Sequence, residues 1–194
     1  MEKRLSNEVT PADIAQFGAV LDAANVKWWL TYGALLGIVR DKKFISWDND
    51  VDLMIEAGAD PLRIKRLLVE AGALPLKAYV LENLVFCEKF WFKNTYFDLY
   101  YGQNLDGKVV DLARFRRCIF FLEHKFQGVE KVEFAGERLN LPVRPDEYLT
   151  HLYGKGWTKP DPDWKWYIRQ PVIKISGPWL SLAIVWFRRT VLRR

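Results

Sequence analysis

The chain has 194 residues, of which 50% are hydrophobic and 27% charged, and it contains nine Trp. These values exclude collagen-like, mucin-like and disordered chains and fit one domain, or one domain with an appendage. The formal charge of +5 comes from 29 Lys and Arg against 24 Asp and Glu; four of the arginines, Arg188, Arg189, Arg193 and Arg194, lie in the acid-free stretch 178–194, so the body is nearly neutral and no nucleic-acid partner is expected.

In chain order, Thr10, Pro11 and Asp13 mark a helix start: a capping hydroxyl, a proline suited to the first turn and an acid at the positive end of the dipole. Ile14, Phe17, Leu21 and Ala24 recur at helical spacing and predict a helix over 11–24, with the first three in the core. A short strand follows over 26–30, a short helix over 33–39 and a strand over 51–56. Asp60 and Pro61 open a helix over 62–70 that Ala71 and Gly72 close. Strand-like runs lie over 76–80, 84–92, 96–101 and 108–110, between turns rich in Asn, Asp and Gly. Residues 129–141 read as a hairpin turning at Ala135 and Gly136, 144–153 as a helix stopped by Gly154, and 155–171 as loop. The expected architecture is α+β, with helices flanking one small mixed sheet in a body of residues 1–177.

Cys87 and Cys118 have no CxxC spacing and no nearby His, so they read as buried small hydrophobes rather than as a zinc site or a disulfide. His124 and His151 have no motif around them and are given no role. The N-terminus lacks the apolar stretch of a signal peptide, and no run approaches the roughly 18–20 apolar residues a membrane span needs, which predicts a cytoplasmic protein. The tail 178–194 is apolar over 179–187 before its arginines. It suits either a peripheral contact with an anionic membrane surface or docking on the domain's own core.

Trp47-Asp48-Asn49-Asp50-Val51-Asp52-Leu53-Met54-Ile55 carries the most chemistry. On a strand, Asp50 and Asp52 share one face while Val51, Leu53 and Ile55 take the other. Two carboxylates so close repel unless a cation sits between them, and Mg2+ prefers such oxygen ligands together with substrate phosphates. A calcium loop of the EF-hand type fails, because its sixth position would be Leu53 and its twelfth Ala59. An acidic turn that merely caps a strand is the plainer alternative. Upstream, Gly33 stands where a strand turns into a helix, a place whose free backbone N–H groups suit a phosphate, and Arg40, Lys42 and Lys43 follow.

A glycine turn, then cations, then an Asp-x-Asp strand resembles the nucleotidyltransferase-fold superfamily, whose third carboxylate lies on a neighbouring strand; Asp98 in Tyr96-Phe97-Asp98-Leu99-Tyr100 is the candidate. The full string from Thr31 to Ile55, TYGALLGIVRDKKFISWDNDVDLMI, closely resembles the signature of the LicD/fukutin family. The likeness returns in Phe97 to Gly102, Phe134-Ala135-Gly136, Leu141-Pro142, Asp146 to Leu149, Tyr153-Gly154, Trp157 and Pro160, covering most of residues 26–160.

The resemblance implies a phosphotransferase that moves phosphocholine or a phospho-polyol from a CDP-linked donor to a glycan or lipid-linked glycan hydroxyl, releasing CMP. It implies Mg2+, with Mn2+ as the substitute, held by Asp50, Asp52 and Asp98. Asp98 is then a third ligand or the base that takes the acceptor's proton. Gly33 and the backbone of Ala34 would hold a phosphate, with Arg40 as its bidentate partner and Lys43 beside it; a salt bridge from Arg40 to Asp41 or Asp48 is the alternative. Trp47 would stack on a base, cover a trimethylammonium or serve as a structural Trp at the strand entrance. Departures from the family pattern are Ala34 for a hydroxyl residue, Lys43 for Gly, Ser46 for Pro and Asn49 for the middle Asp; none removes a carboxylate of the presumed metal site. A nucleotidylyltransferase that hands over NMP and releases pyrophosphate is the other enzymatic reading.

Overall fold

The computed structural model describes residues 9–81, 83–105, 108–115, 118–161 and 172–175, with the backbone alone at 105, 113–115, 118–122 and 172–175. The proposed tail 178–194, most of the loop 155–171 and the side chain of Cys118 lie outside the described residues. Among those residues, no helix is long and apolar enough to cross a membrane.

The first helix, α1, spans Pro11–Ala23, with the Thr10 hydroxyl accepting from the Asp13 N–H at 3.2 Å. It ends in a left-handed Asn25 whose N–H donates to Asp22, while the Val26 N–H donates to Leu21. That closure uses Val26, so the following strand, β1, starts two residues later than expected and covers Trp28–Leu30. Helix α2 (Tyr32–Leu36) runs into a wider π-helical turn over Gly37–Asp41. A side chain at Gly37 would collide with the Lys43 carbonyl, so the return of the chain toward β2 (Asp50–Ile55) needs glycine there. Helix α3 (Pro61–Glu70) is capped by Asp60 and closed by left-handed Gly72, whose N–H and that of Ala73 donate back to Val69 and Leu68.

Strands β3 (Leu74–Leu81), β4 (Leu84–Phe92) and β5 (Thr95–Tyr101) complete a five-stranded mixed sheet in the order β1-β2-β5-β4-β3. Only β2 and β5 run parallel. One face of this sheet, with Val51, Leu53, Phe90, Phe97 and Leu99, joins α1 and α3 in the main core, where Phe17 stacks on Phe97 with ring centres 4.0 Å apart. Gly18 leaves room for the Trp28 indole, whose Nε1–H donates to Asp22 at 2.7 Å.

The expected mixed sheet with flanking helices is present, and among the described residues two further sheets accompany it. Strands β6 (Gln103–Leu105), β7 (Lys108–Phe115), β8 (Cys118–His124) and β11 (Val172–Ile175) form a four-stranded sheet in the order β11-β8-β7-β6. The hairpin β9 (Val129–Phe134) and β10 (Glu137–Pro142) stands apart as a pair, turning at left-handed Ala135 and Gly136 as read from the sequence. The run containing β8 carries no Gly or Pro to announce a strand, and β7 extends five residues past the predicted end because β8 pairs along its whole length. Helix α4 (Pro145–Tyr153) packs on α2, β8 and β10.

Candidate active site

Asp50, Asp52 and Asp98 meet across the parallel pair. Asp50 and Asp52 share a face of β2 by alternation, and the register sets Asp98 of β5 beside Asp52. An oxygen from each of the three lies within 4.8 Å of the other two. Burial pushes the Asp52 carboxyl well above the ordinary carboxylate range, and the charges of Asp50, Asp98 and Asp48 push it further. Asp98 is also raised, chiefly by burial, with Lys89 working against the shift. Its Oδ1 is buried and has no hydrogen-bond partner among the described residues. A set of hard oxygen donors, one of them buried and unpartnered, fits a divalent cation.

Two more side chains belong to this cluster: Lys89, to which the sequence gave no role, and Asp48, which it named only as a possible partner of Arg40. Lys89 of β4 lies directly opposite Asp98, donates to its Oδ2, and reaches within 4.0 Å of Asp50 Oδ2. The visible signal was a charged pair, Glu88-Lys89, inside the otherwise apolar run of β4. Asp48 lies beside Asp50, and its carboxyl is pushed up to about 7, first by burial, then by the hydrogen bond it can share with Asp50 when protonated and by the charges of Asp50 and Asp98.

Asp48 also changes the reading of the glycine turn. A Cβ on Gly33 would collide with Asp48 Oδ2, so the glycine lets this carboxylate lie directly against the turn, and a side chain there would displace it. The preceding Tyr32 sits at φ 45°, a strained value for a bulky residue. Ala34 is buried in the core.

Beside the turn lies a cavity of about 750 Å3, bordered by Gly33, Arg40, Trp47, Tyr153, Trp157 and Lys159. Trp47 is 78% exposed, which rules out a core role. Arg40 takes the salt-bridge alternative: its guanidinium grips Asp41 with two bonds of 2.8 and 2.7 Å while still bordering the cavity. Lys43 is exposed and does not line the cavity. Tyr153 ties the cavity to the acids, since its phenol is raised by burial and by the charges of Asp52 and Asp48.

His124, given no role from the sequence, sits in a buried polar network behind the turn. The Tyr32 hydroxyl donates to Asp111 Oδ2 at 2.7 Å, and His124 Nε2 lies 3.2 Å from Asp111 Oδ1. The Tyr148 hydroxyl is shared by His124 Nδ1 at 2.5 Å, Thr31 Oγ1 at 3.0 Å and the Trp29 Nε1–H at 3.1 Å. Five segments thus converge on the start of α2: the ends of β1 and β8, the middle of β7, helix α4 and Tyr32 itself. No spacing in the sequence connects residues 32, 111, 124 and 148, so no local signal could have found them.

The acid-bearing parallel pair in a mixed sheet, backed by two helices and faced by a glycine turn, defines a nucleotidyltransferase fold. The chain superposes on the crystal structure of ANT(2")-Ia in complex with adenylyl-2"-tobramycin with a TM-score of 0.50 at 13% identity, covering 80% of each chain. Against the solution structure of ANT(2'')-Ia the score is 0.51 at the same identity, over 80% of this chain and 76% of the other.

Residues 25–144 match the family model described as LicD/FKTN/FKRP, nucleotidyltransferase domain, and the chain belongs to that family. It is 30% identical over 154 residues to the ribitol 5-phosphate transferase FKRP of Mus musculus, covering 71% of this chain and 29% of the relative. It is 28% identical over 166 residues to the ribitol-5-phosphate transferase FKTN of the same species, over 79% of this chain and 34% of the relative. The chain therefore spans only about a third of the length of the curated relatives it matches.

Proposed function

We propose that the protein transfers a phosphate group bearing a small alcohol, a phospho-polyol such as ribitol phosphate or else phosphocholine, from a CDP-linked donor to a glycan hydroxyl, releasing CMP. The observation that carries this reading is the meeting of Asp50, Asp52 and Asp98 within 4.8 Å on one sheet face, in a chain of the LicD/FKTN/FKRP family. The names of the matched relatives favour ribitol phosphate among the head groups.

In this reading Asp50, Asp52 and Asp98 hold a divalent cation, Mg2+ or Mn2+, which when bound supplies charge neutralisation for the donor diphosphate. Asp98 contributes through its unpartnered Oδ1. The aromatic walls of the cavity, Trp47, Tyr153 and Trp157, receive the flat base of the donor, and Lys159 lies near enough to its edge to meet an anionic group. Arg40 reaches a phosphate only by leaving Asp41, and Lys43, which lies outside the cavity, is given no contact with the donor. The catalytic unit is residues 1–177, with 178–194 a tail suited to an anionic membrane that carries a lipid-linked acceptor; truncation before residue 178 with retained co-sedimentation on anionic vesicles would reject that role for the tail.

The experiment is to incubate the purified protein with a panel of CDP-linked donors, Mg2+ and a glycan acceptor and to follow CMP. Release of pyrophosphate from a nucleoside triphosphate, without CMP from any CDP-linked donor, would establish the nucleotidylyltransferase reading in its place.

A further inference from the structure

We propose that Lys89 is a built-in counter-cation of the acidic cluster, and that a divalent metal ion and the Lys89 ammonium compete for the same carboxylates. This rests on the reading of Asp50, Asp52 and Asp98 as a metal site. The geometry places Lys89 there through main-chain pairing: it stands directly across from Asp98, which stands directly across from Asp52, so three charged side chains form one row over β4, β5 and β2. The ammonium is bonded to Asp98 Oδ2 and lies 4.0 Å from Asp50 Oδ2, while Asp98 Oδ1 is left buried and unpartnered. One positive charge thus offsets part of a charge that three clustered carboxylates and Asp48 build up.

A lysine is suited to such an exchange. Its charge is compact and sits on a flexible stem, and a third of the Lys89 side chain is exposed, which leaves it an outward path. A divalent ion entering beside an ammonium is repelled at a few ångströms, so the lysine lowers the affinity of the bare protein for metal. Once swung out, the ammonium is free to meet the phosphates of an anionic donor. Lys89 is therefore a positioning residue that keeps the cluster assembled without metal and favours metal entry together with the donor.

The test is titration of the full chain with MnCl2 in the absence of nucleotide, following free Mn2+ by electron paramagnetic resonance, alongside thermal unfolding in EDTA. Lys89→Met should bind Mn2+ about tenfold more tightly or better, as expected from removing a like charge within a few ångströms, and should unfold at lower temperature than wild type in EDTA. Lys89→Arg, which keeps the charge, should stay near wild type in both. Lys89→Gln is the second variant should the Met change impair folding. Unchanged or weaker Mn2+ binding by Lys89→Met and Lys89→Gln overturns the proposal while leaving the metal site standing. Absence of Mn2+ binding in wild type and every variant overturns the metal reading, and this inference with it. Binding that appears only when Lys89 is neutralised supports competition in its strongest form.

Discussion

The acidic face of the main sheet and the polar network behind helix α2 bury their charges in opposite ways. Around Tyr148, the buried hydroxyl, imidazole and carboxylate groups meet one another at 2.5–3.2 Å, with Asp111 Oδ1 facing the His124 ring at 3.2 Å without a hydrogen bond. Around Asp52, four carboxylates crowd together with one lysine, and a buried oxygen of Asp98 is left over. Buried polar groups of unlike kind that pair with one another hold a structure in place, whereas like charges held together against their own repulsion are kept for something that binds. The two regions touch through Tyr32, whose hydroxyl belongs to the network and whose ring packs at 5.2 Å against Tyr100 on the acid-bearing strand.

The sharpest way to break this comparison is substitution on the acidic face. Asp52→Asn should lower transfer by roughly a thousandfold, the scale on which loss of one charge-organising group is felt in an active site. In EDTA the same variant should be as stable as wild type or more so, because a like charge has been removed; a marked drop in its thermal midpoint would sink the contrast. Metal addition comes next. Mg2+ or Mn2+ at about a hundred times its dissociation constant should stabilise wild type by about 2.7 kcal/mol, and Asp52→Asn should lose most of that gain.

The network should respond in the reverse sense. Tyr148→Phe or Asp111→Ala leaves buried partners unsatisfied and should cost about 1–3 kcal/mol in urea unfolding, equally with and without metal. A loss that Mg2+ repairs would place the network inside the metal site.

The smallest expected effect lies at the network's margin. His151, one turn beyond Tyr148, has a buried Nε2 with no hydrogen-bond partner among the described residues. Burial lowers its pKa, with Glu123 opposing and His124 and Lys125 adding to the shift. The folded protein therefore binds this proton less readily than the unfolded chain. Its contribution is fully present above about pH 6.5 only as the absence of a penalty, and stability declines as pH falls from there through the lowered folded value. His151→Phe should flatten that limb in thermal melts between pH 7.5 and 5, and an unchanged slope would assign it to another group.

Much of the local structure was legible because its causes are local. The Thr10 and Asp60 caps, the Gly72 and Gly154 stops, the hairpin turn at Ala135-Gly136 and the alternation of β2 depend on residues within a few positions of one another. Misplaced boundaries trace to neighbours in space: β1 is shortened by the closure of α1 at Val26, and β7 is lengthened by its pairing with β8.

The sequence by itself determined the family, the shared face of Asp50 and Asp52, and Asp98 as their third partner, because a strand's period of two and a continuous motif survive without knowledge of the fold. Only the tertiary structure decided that Asp48 closes on Gly33, that Lys89 enters the acidic row, and that residues from 29 to 148 converge on one tyrosine. These depend on strand register and on contacts between segments up to 119 positions apart, which the chain specifies only when every strand has found its neighbour.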